Sequence, residues 1–512
     1  MATSKPLDLV RMTATELQDL LEDGKLTSVE LIKETLAQIN RHNTKGLALK
    51  ALISTAPEDI LINRAAALDD ERNKGQVRGP FHGLPVLIKD VINTHPDLGM
   101  PTTLGSHSLL TAKVSKNATI VDKMIEQGMI IVGKTNLNEL SSWKSMGPMN
   151  GWSAVGGQTN SAYVDGGLEP NDGVMGHSNP CGSSTGSAVG VSAGFSPVAL
   201  GTEVDGSLVQ PAARAALYAM KPSVGATELG AVFAVSEESD SLGSMAKSTL
   251  DLARMTELVL NPEGRSKLPK DGYLSYLRRD FAGLRVGFVD PEQWRWPNNV
   301  QPQKNNTREQ MKQSYLTIMK LVENKGGEGV FPVTIPPVSE YLINGQPCTI
   351  LAIRHVFKTN LEKYFSAFSS AEIRTAEDLI QYNKEHASTE LPPDFPEQGR
   401  LVDTIENPIN AEQYQHAVTV CRQLSRENGI DKALSESNID LVAFPMDSPC
   451  PRVAAAAGYP IATMPIGTLD YNGRPFGLAI IAKAGREDVM FSFMSAFEAN
   501  SEPRAVPPAL VD

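Results

Sequence analysis

Cysteine is scarce in this chain. Cys181, Cys348, Cys421 and Cys450 are the only four, none belongs to a Cys-x-x-Cys pair, and their wide spacing indicates neither a zinc site nor a disulfide framework. A reducing compartment suits such usage. Basic residues are outnumbered, 47 Lys and Arg against 59 Asp and Glu, and no local Lys/Arg run offsets the formal charge of −12. That balance argues against a nucleic-acid or anionic-membrane surface. Long apolar runs are missing too: no segment reaches the ~20 residues of a membrane span, and MATSKPLDLVRMTATELQDL lacks the apolar core of a secretory signal. The final PPALVD carries no retention or peroxisomal tripeptide. The expected compartment is the cytoplasm.

What is present reads as a large globular protein. Hydrophobic residues make up 41% of 512, and 41 glycines with 34 prolines indicate many turns rather than disorder. Thr13 with Glu16 and Thr27 with Glu30 are two Thr-x-x-Glu capping boxes separated by Gly24, which predicts a helical hairpin. Ile32, Leu36 and Ile39 give its second helix one buried stripe. Pro57 opens a third helix ending near Gly75. Leu84 to Ile88 is a short apolar run readable as a buried strand that ends in Lys89-Asp90. Then come a helix over Ile120–Gln127 closed by Gly128, a strand at 129–132, a small-residue helix at 187–194 and a strand at 198–202. Further on are a strand at 284–289, a long helix at 307–324 stopped by Gly326-Gly327, and a strand at 441–444. Residues 355–430 are helix-rich and polar, which suits a substrate-covering layer, and Asn472-Gly473 marks a hairpin turn. Helix and strand alternate as in α/β proteins, which place ligands at strand ends.

Chemistry concentrates between Asn179 and Pro211, where two serine-bearing glycine turns occur, Gly182-Ser183-Ser184 and Gly206-Ser207. Gly182-Ser183-Ser184-Thr185-Gly186 satisfies the G-x-S-x-G nucleophile elbow with Ser184 as nucleophile, but that motif requires a strand before it, and the preceding residues are polar and turn-rich. Ser207 follows the apolar run 198–202 and precedes a Pro211-Ala-Ala segment, so a strand presents it at a turn, a position that a structural serine also fills. His177 and Cys181 raise a third possibility, a thiol nucleophile, although no glycine-rich donor turn is centred on Cys181. Lys89 at the end of its strand is either a snorkelling side chain or a base.

The joint pattern resembles the amidase signature family over about Leu9 to Pro508. Its parts stand in the family's order: TATELQDLLEDGKLTSVELIKETLAQI, RGPFHGLPVLIKD, GKTNLNEL, CGSSTGSA, GTEVDGS, DSLGSMAKS, AAAAGYPIATMPIG and PFGLAIIAKAGRE. GTE-x-DGS together with GWSAVGGQTN and PCGSS is similar to the peptide amidase-like branch. The resemblance implies an α/β amidase signature fold, one large mixed twisted β-sheet sandwiched between layers of α-helices. It implies a single domain over 1–512, with N-terminal helices at 10–75, a catalytic core at 80–260, a variable substrate-covering region at 265–440 and the end of the core at 441–510.

By matching positions the resemblance implies Ser207 as the acylated nucleophile, Ser183 as the bridging serine after a cis Gly182-Ser183 bond, and Lys89 as the general base. The chemistry of that trio is coherent: a serine hydroxyl needs a base, and a lysine becomes one when burial keeps it neutral. Backbone N–H groups of Val204, Asp205, Gly206 and Ser207 are the implied oxyanion donors. Gly182, Ser184, Asp205, Asp240 and Asn136 are supporting candidates, with Glu139 bracing beside Asn136 and Asp240 supporting the Ser207 turn. Two departures stand out: Asp205 where many members have glycine, and Val209 where they have arginine. An ionised Asp205 would favour a cationic or N–H-bearing substrate. The expected activity is hydrolysis of a carboxylic amide to carboxylate plus ammonia or amine, with no metal or cofactor, on small primary amides or peptide C-terminal amides. Monomer and homodimer are both left open. The alternatives are the A subunit of a glutamyl-tRNA amidotransferase and an esterase using Ser184.

Overall fold

The computed structural model describes residues 7–170 and 172–511; residues 1–6 and Asp512, at the ends read above for targeting signals, and Asn171 lie outside the described residues. Both capping boxes form. The Thr13 hydroxyl accepts the Glu16 N–H at 3.2 Å and the Thr27 hydroxyl the Glu30 N–H at 3.1 Å, while each glutamate reaches back to the capping backbone. Gly24 turns the hairpin at φ 67°. The second helix, Ser28–His42, buries Ile32, Leu36 and Ile39 as its stripe predicts.

Eleven strands make one sheet. In chain order they are β1 Leu52–Thr55, β2 Pro85–Lys89, β3 Ile130–Thr135, β4 Val198–Glu203, β5 Tyr218–Lys221, β6 Ser241–Ala246, β7 Arg285–Phe288, β8 Glu328–Val330, β9 Leu441–Pro445, β10 Ile461–Thr468 and β11 Pro475–Ile481. Across the sheet the order is β1-β3-β2-β4-β6-β5-β10-β11-β9-β7-β8. β3, β2 and β4 run parallel, as do β9, β7 and β8, and the remaining neighbours are antiparallel, so the sheet is mixed. This is the expected fold class.

The parallel trio positions the site. Chain direction sends β2, β3 and β4 out at the same edge, and register sets Lys89 opposite Thr135 and Ile88 opposite Leu200. Antiparallel β6 starts there too, with Ser241 opposite Glu203, which brings Asp240 to that edge. Every residue of β2, β3, β4 and β6 is buried.

Under this edge lies the small-residue helix, Thr185–Ser192, buried along its whole length. Small side chains are required because the backbone approaches closely: a Cβ on Gly186 would fall 2.0 Å from the Ala51 carbonyl oxygen. The helix read at 120–127 is Thr119–Glu126, the long helix is Thr307–Asn324, and Asn472-Gly473 turns an antiparallel hairpin of β10 with β11. β1, β5, β6 and β8 escaped the sequence reading. They are three to six residues long, and β6 (SLGSMA) is buried on both faces with Leu242 and Met245 as its large apolar side chains, three residues apart, so it shows neither alternation nor an apolar run. The N-terminal segment thus supplies an edge strand as well as helices, and 265–440 supplies β7 and β8.

Candidate active site

Lys89 ends the apolar strand PVLIK and is fully buried, so it does not snorkel. Its Nζ lies 2.7 Å from Ser183 Oγ and 3.0 Å from Thr202 Oγ1, both buried hydroxyls. Desolvation pushes the ammonium down to about 7, against the opposing pull of the Asp240 and Glu203 carboxylates. Near neutrality a large fraction of Lys89 is therefore an amine with a free lone pair beside a serine hydroxyl. The peptide bond Gly182-Ser183 is cis, as the resemblance implies.

Ser207 lies four residues beyond the end of β4 and is half-buried. It lines a cavity of about 350 Å³ together with Ser183, Thr202 and Asp240. Among the described residues its hydroxyl has no hydrogen-bond partner, so the structure joins Lys89 to Ser183 and leaves Ser207 on the shared cavity wall. Catalytic hydrogen bonds commonly tighten only when substrate binds.

The turn carrying Ser207 is built around Glu203. Its Oε2 accepts the N–H groups of Leu208 at 2.7 Å and Val209 at 2.8 Å, and the Gly206 N–H also lies against this carboxylate. Gln210 N–H is taken by the Gly206 carbonyl at 3.0 Å. The N–H groups of Asp205 and Ser207 have no acceptor among the described residues. Gly206 sits at φ 78°, a left-handed conformation that favours glycine.

Ser184 does not face the cavity as an elbow nucleophile would. Its Oγ donates to the Thr202 carbonyl at 3.2 Å and accepts the Thr202 N–H at 3.3 Å, tying the two serine turns together, and no strand precedes it. Ser184 N–H donates to the Ser207 carbonyl at 2.8 Å, a second tie. Asp240 differs from its expected role. It bonds to no atom of the Ser207 turn; its Oδ2 accepts the Val235 N–H at 3.0 Å, and its Oδ1 is buried without a hydrogen bond. Burial pushes its carboxyl up, and the Lys89 charge opposes that shift.

Asn136 Nδ2 donates to the Gly157 carbonyl and Thr159 Oγ1, both at 2.9 Å, and its backbone carbonyl accepts the Gly186 N–H. Glu139 accepts from Lys144 Nζ at 2.6 Å and from Ala154 N–H at 3.0 Å, fixing the 139–154 loop that walls the cavity. Val209 is buried in an apolar cluster with Ala213 and Phe444. Asp205 is not a bare charge, because Arg452 Nε stands 3.6 Å from its Oδ2.

The thiol alternative fails on geometry. His177 Nε2 pairs with the Pro302 carbonyl at 3.0 Å and Nδ1 with Arg474 at 3.1 Å, and burial, then Arg474, pushes the imidazole down to about 4. Burial also pushes the Cys181 thiol up, away from thiolate. Sequence reasoning missed Thr202, Glu203 and Asn138. Asn138 N–H donates to the Ser183 carbonyl at 3.1 Å, and its Oδ1 accepts the Gly151 N–H at 2.5 Å. The available signal was polarity at the end of an apolar strand, Thr202-Glu203 after VALG. Among the described residues no His/Cys/Asp/Glu group is arranged to hold a metal, and no helix is long and apolar enough to cross a membrane.

The family model named Amidase matches residues 30–454. A protein of Schizosaccharomyces pombe named as an amidase is 30% identical over 97% of this chain and 86% of its own length. The crystal structure of peptide amidase from Stenotrophomonas maltophilia superposes with a TM-score of 0.84 at 30% identity, covering 98% of this chain and 99% of that one. The A subunit of a glutamyl-tRNA(Gln) amidotransferase from Chloroflexus aurantiacus is 33% identical over 55% of this chain and 54% of its own length, and that from Thermoanaerobacter pseudethanolicus is 27% identical over 98% of this chain and 99% of its own length.

Proposed function

This chain belongs to the amidase family and is an amide-hydrolysing enzyme, and from that premise we propose that it works through an acyl-enzyme on Ser207, with Ser183 as proton relay and Lys89 as base. The observation that carries the reading is the fully buried Lys89 amine 2.7 Å from Ser183 Oγ, behind the cavity that Ser207 lines.

Neutral Lys89 takes the Ser183 proton as Ser183 takes that of Ser207, and Ser207 Oγ attacks the amide carbon. The carbonyl oxygen becomes an oxyanion facing the N–H groups of the turn, of which those of Asp205 and Ser207 are uncommitted. These donors are preorganised by the Glu203 carboxylate, so none reorganises during the reaction. When the tetrahedral adduct collapses, the C–N bond breaks and the Lys89 proton returns through Ser183 to the nitrogen, which leaves as ammonia or amine. Water then repeats the path: its oxygen bonds the acyl carbon as its proton passes through the relay to Lys89, the ester bond to Ser207 Oγ breaks to release the carboxylic acid, and Ser207 takes the proton back. Only protons and one acyl group move, and the chain's own residues carry both.

Primary amides, including peptide C-terminal amides, are the proposed substrates. Their support is the 30% identity and 0.84 TM-score to a structure titled peptide amidase. The amidotransferase reading is not better supported, since its higher identity covers 55% of the chain. Ammonia release across C-terminal peptide amides, aryl amides and fatty amides, with and without partner subunits, tests the choice; activity that requires a partner would overturn it.

Two variants probe the relay. Ser183→Ala is expected to lose on the order of 10²-fold in kcat, less than Ser207→Ala, because water can occupy the vacated hydroxyl position. A loss equal to that of Ser207→Ala would show that water does not replace it. Asp240→Asn removes a carboxylate that holds the Lys89 pKa up, so the acid limb of the kcat/KM profile is expected to move to lower pH. A limb that stays or rises would contradict the proposed coupling.

A further inference from the structure

The charges around the cavity are unequally answered. Asp240 feels the charges of Lys89 and Lys221 without an ion pair to either, Arg400 likewise feels Glu397 and Asp205, and Asp205 is paired with Arg452 at 3.6 Å. Arg400 is set apart by a guanidinium that faces the cavity with an unpartnered nitrogen. It lines the same cavity as Ser183 and Ser207, it is half-buried, and no carboxylate among the described residues stands within ion-pair distance of it. Its Nε is buried and has no hydrogen-bond partner. The acidic group next to it in sequence, Glu397, is committed elsewhere: its carboxylate accepts from Ser145 Oγ and from the N–H groups of Gly147 at 2.9 Å and Gly399 at 2.5 Å.

The guanidinium is nevertheless held in place. It lies over the Trp143 ring at 5.2 Å, and Trp143 Nε1 donates at 3.0 Å to Thr404 Oγ1, one turn along the same helix, Gly399–Glu406. A planar cation stacked on an indole, with its Nε shut off from solvent and its outer nitrogens open to the cavity, keeps its charge and its forked donors but has no protein acceptor at hydrogen-bond distance. Burying unsatisfied donors is costly unless a ligand supplies the missing partner.

We propose that Arg400 is the specificity-determining residue of this amidase and that its guanidinium receives a carboxylate on the acyl part of the substrate. The inference rests on the acyl-transfer reading of the same cavity. For a primary amide the leaving group is ammonia, so whatever fills the remainder of the cavity belongs to the acyl group. The preferred substrates are then primary amides of acidic acyl groups, with the amide carbon at Ser207 and the carboxylate at Arg400. A neutral acyl chain leaves the cation unanswered.

The test compares Nα-acetylglutamic acid α-amide with its γ-methyl ester, which removes the charge and adds one methyl group, by ammonia release. The parent enzyme is expected to prefer the acid by roughly tenfold or more in kcat/KM, as a charge-assisted pair in a desolvated site would give. Arg400→Met is expected to abolish the preference, through KM on the acid rather than through kcat, and Arg400→Lys to keep part of it. Equal losses on both substrates, or no preference in the parent, would overturn the inference and leave Arg400 as packing for Trp143. Labelling of Ser207 by a fluorophosphonate in the same preparation reports on the acyl-transfer reading separately, so absence of ammonia from both amides with Ser207 labelled overturns only the specificity assignment.

Discussion

Ser207→Ala is expected to abolish ammonia release, with kcat reduced on the order of 10³-fold or more, because Ser207 is the cavity-lining hydroxyl that stands on the turn with uncommitted N–H groups. Ser183 is buried against Lys89, and Ser184 is buried with its Oγ committed to the backbone of Thr202. Ser207 Oγ makes no hydrogen bond among the described residues, so removing it is expected to change stability by no more than about 0.5 kcal/mol. A folded variant with parental turnover sinks the nucleophile assignment. The same enzyme treated with a fluorophosphonate should carry the label on Ser207; a label on Ser184 would restore the esterase reading.

Lys89→Met should cost on the order of 10³-fold in kcat/KM near neutrality, within the range of general-base contributions. Methionine keeps most of the buried volume, so a loss with an unchanged fold reports the missing base. The sign of the pH dependence follows from the direction of the shift. Burial lowers the Lys89 pKa from 10.5 to about 7, the reactive form is the neutral amine, and kcat/KM therefore rises with pH through about 7 and levels off above it. Below that point it falls about tenfold per unit as the amine protonates. Lys89→Arg, charged across this range, should be inactive on both sides of the limb. A flat profile in the parent enzyme, or a limb falling with rising pH, contradicts the assignment.

Much of the frame was legible because local chemistry decided it. The capping boxes at Thr13 and Thr27 form where the spacing places them, since a hydroxyl and a glutamate three residues apart satisfy orphan N–H groups wherever the helix lies. Strand 198–203 and helix 307–324 were readable because apolar runs and stripes of such lengths have few other uses. Strands such as SLGSMA were not, because Leu242 and Met245 are separated by small residues and give neither period two nor an apolar run, although neighbours on both faces bury the whole strand.

The sequence by itself determined the family, the sheet-based fold and the candidates Ser207, Ser183 and Lys89, because these are carried by contiguous motifs in a fixed order. The tertiary structure decided which groups meet. Lys89 and Ser183 are 94 residues apart and come to 2.7 Å because parallel strands end together at one edge. Thr202 and Glu203 acquire roles only from that register, Arg452 answers Asp205 from a distant helix, and Arg400 faces the cavity without an ionic partner. Register and burial are sums over the whole chain, and no local stretch contains them.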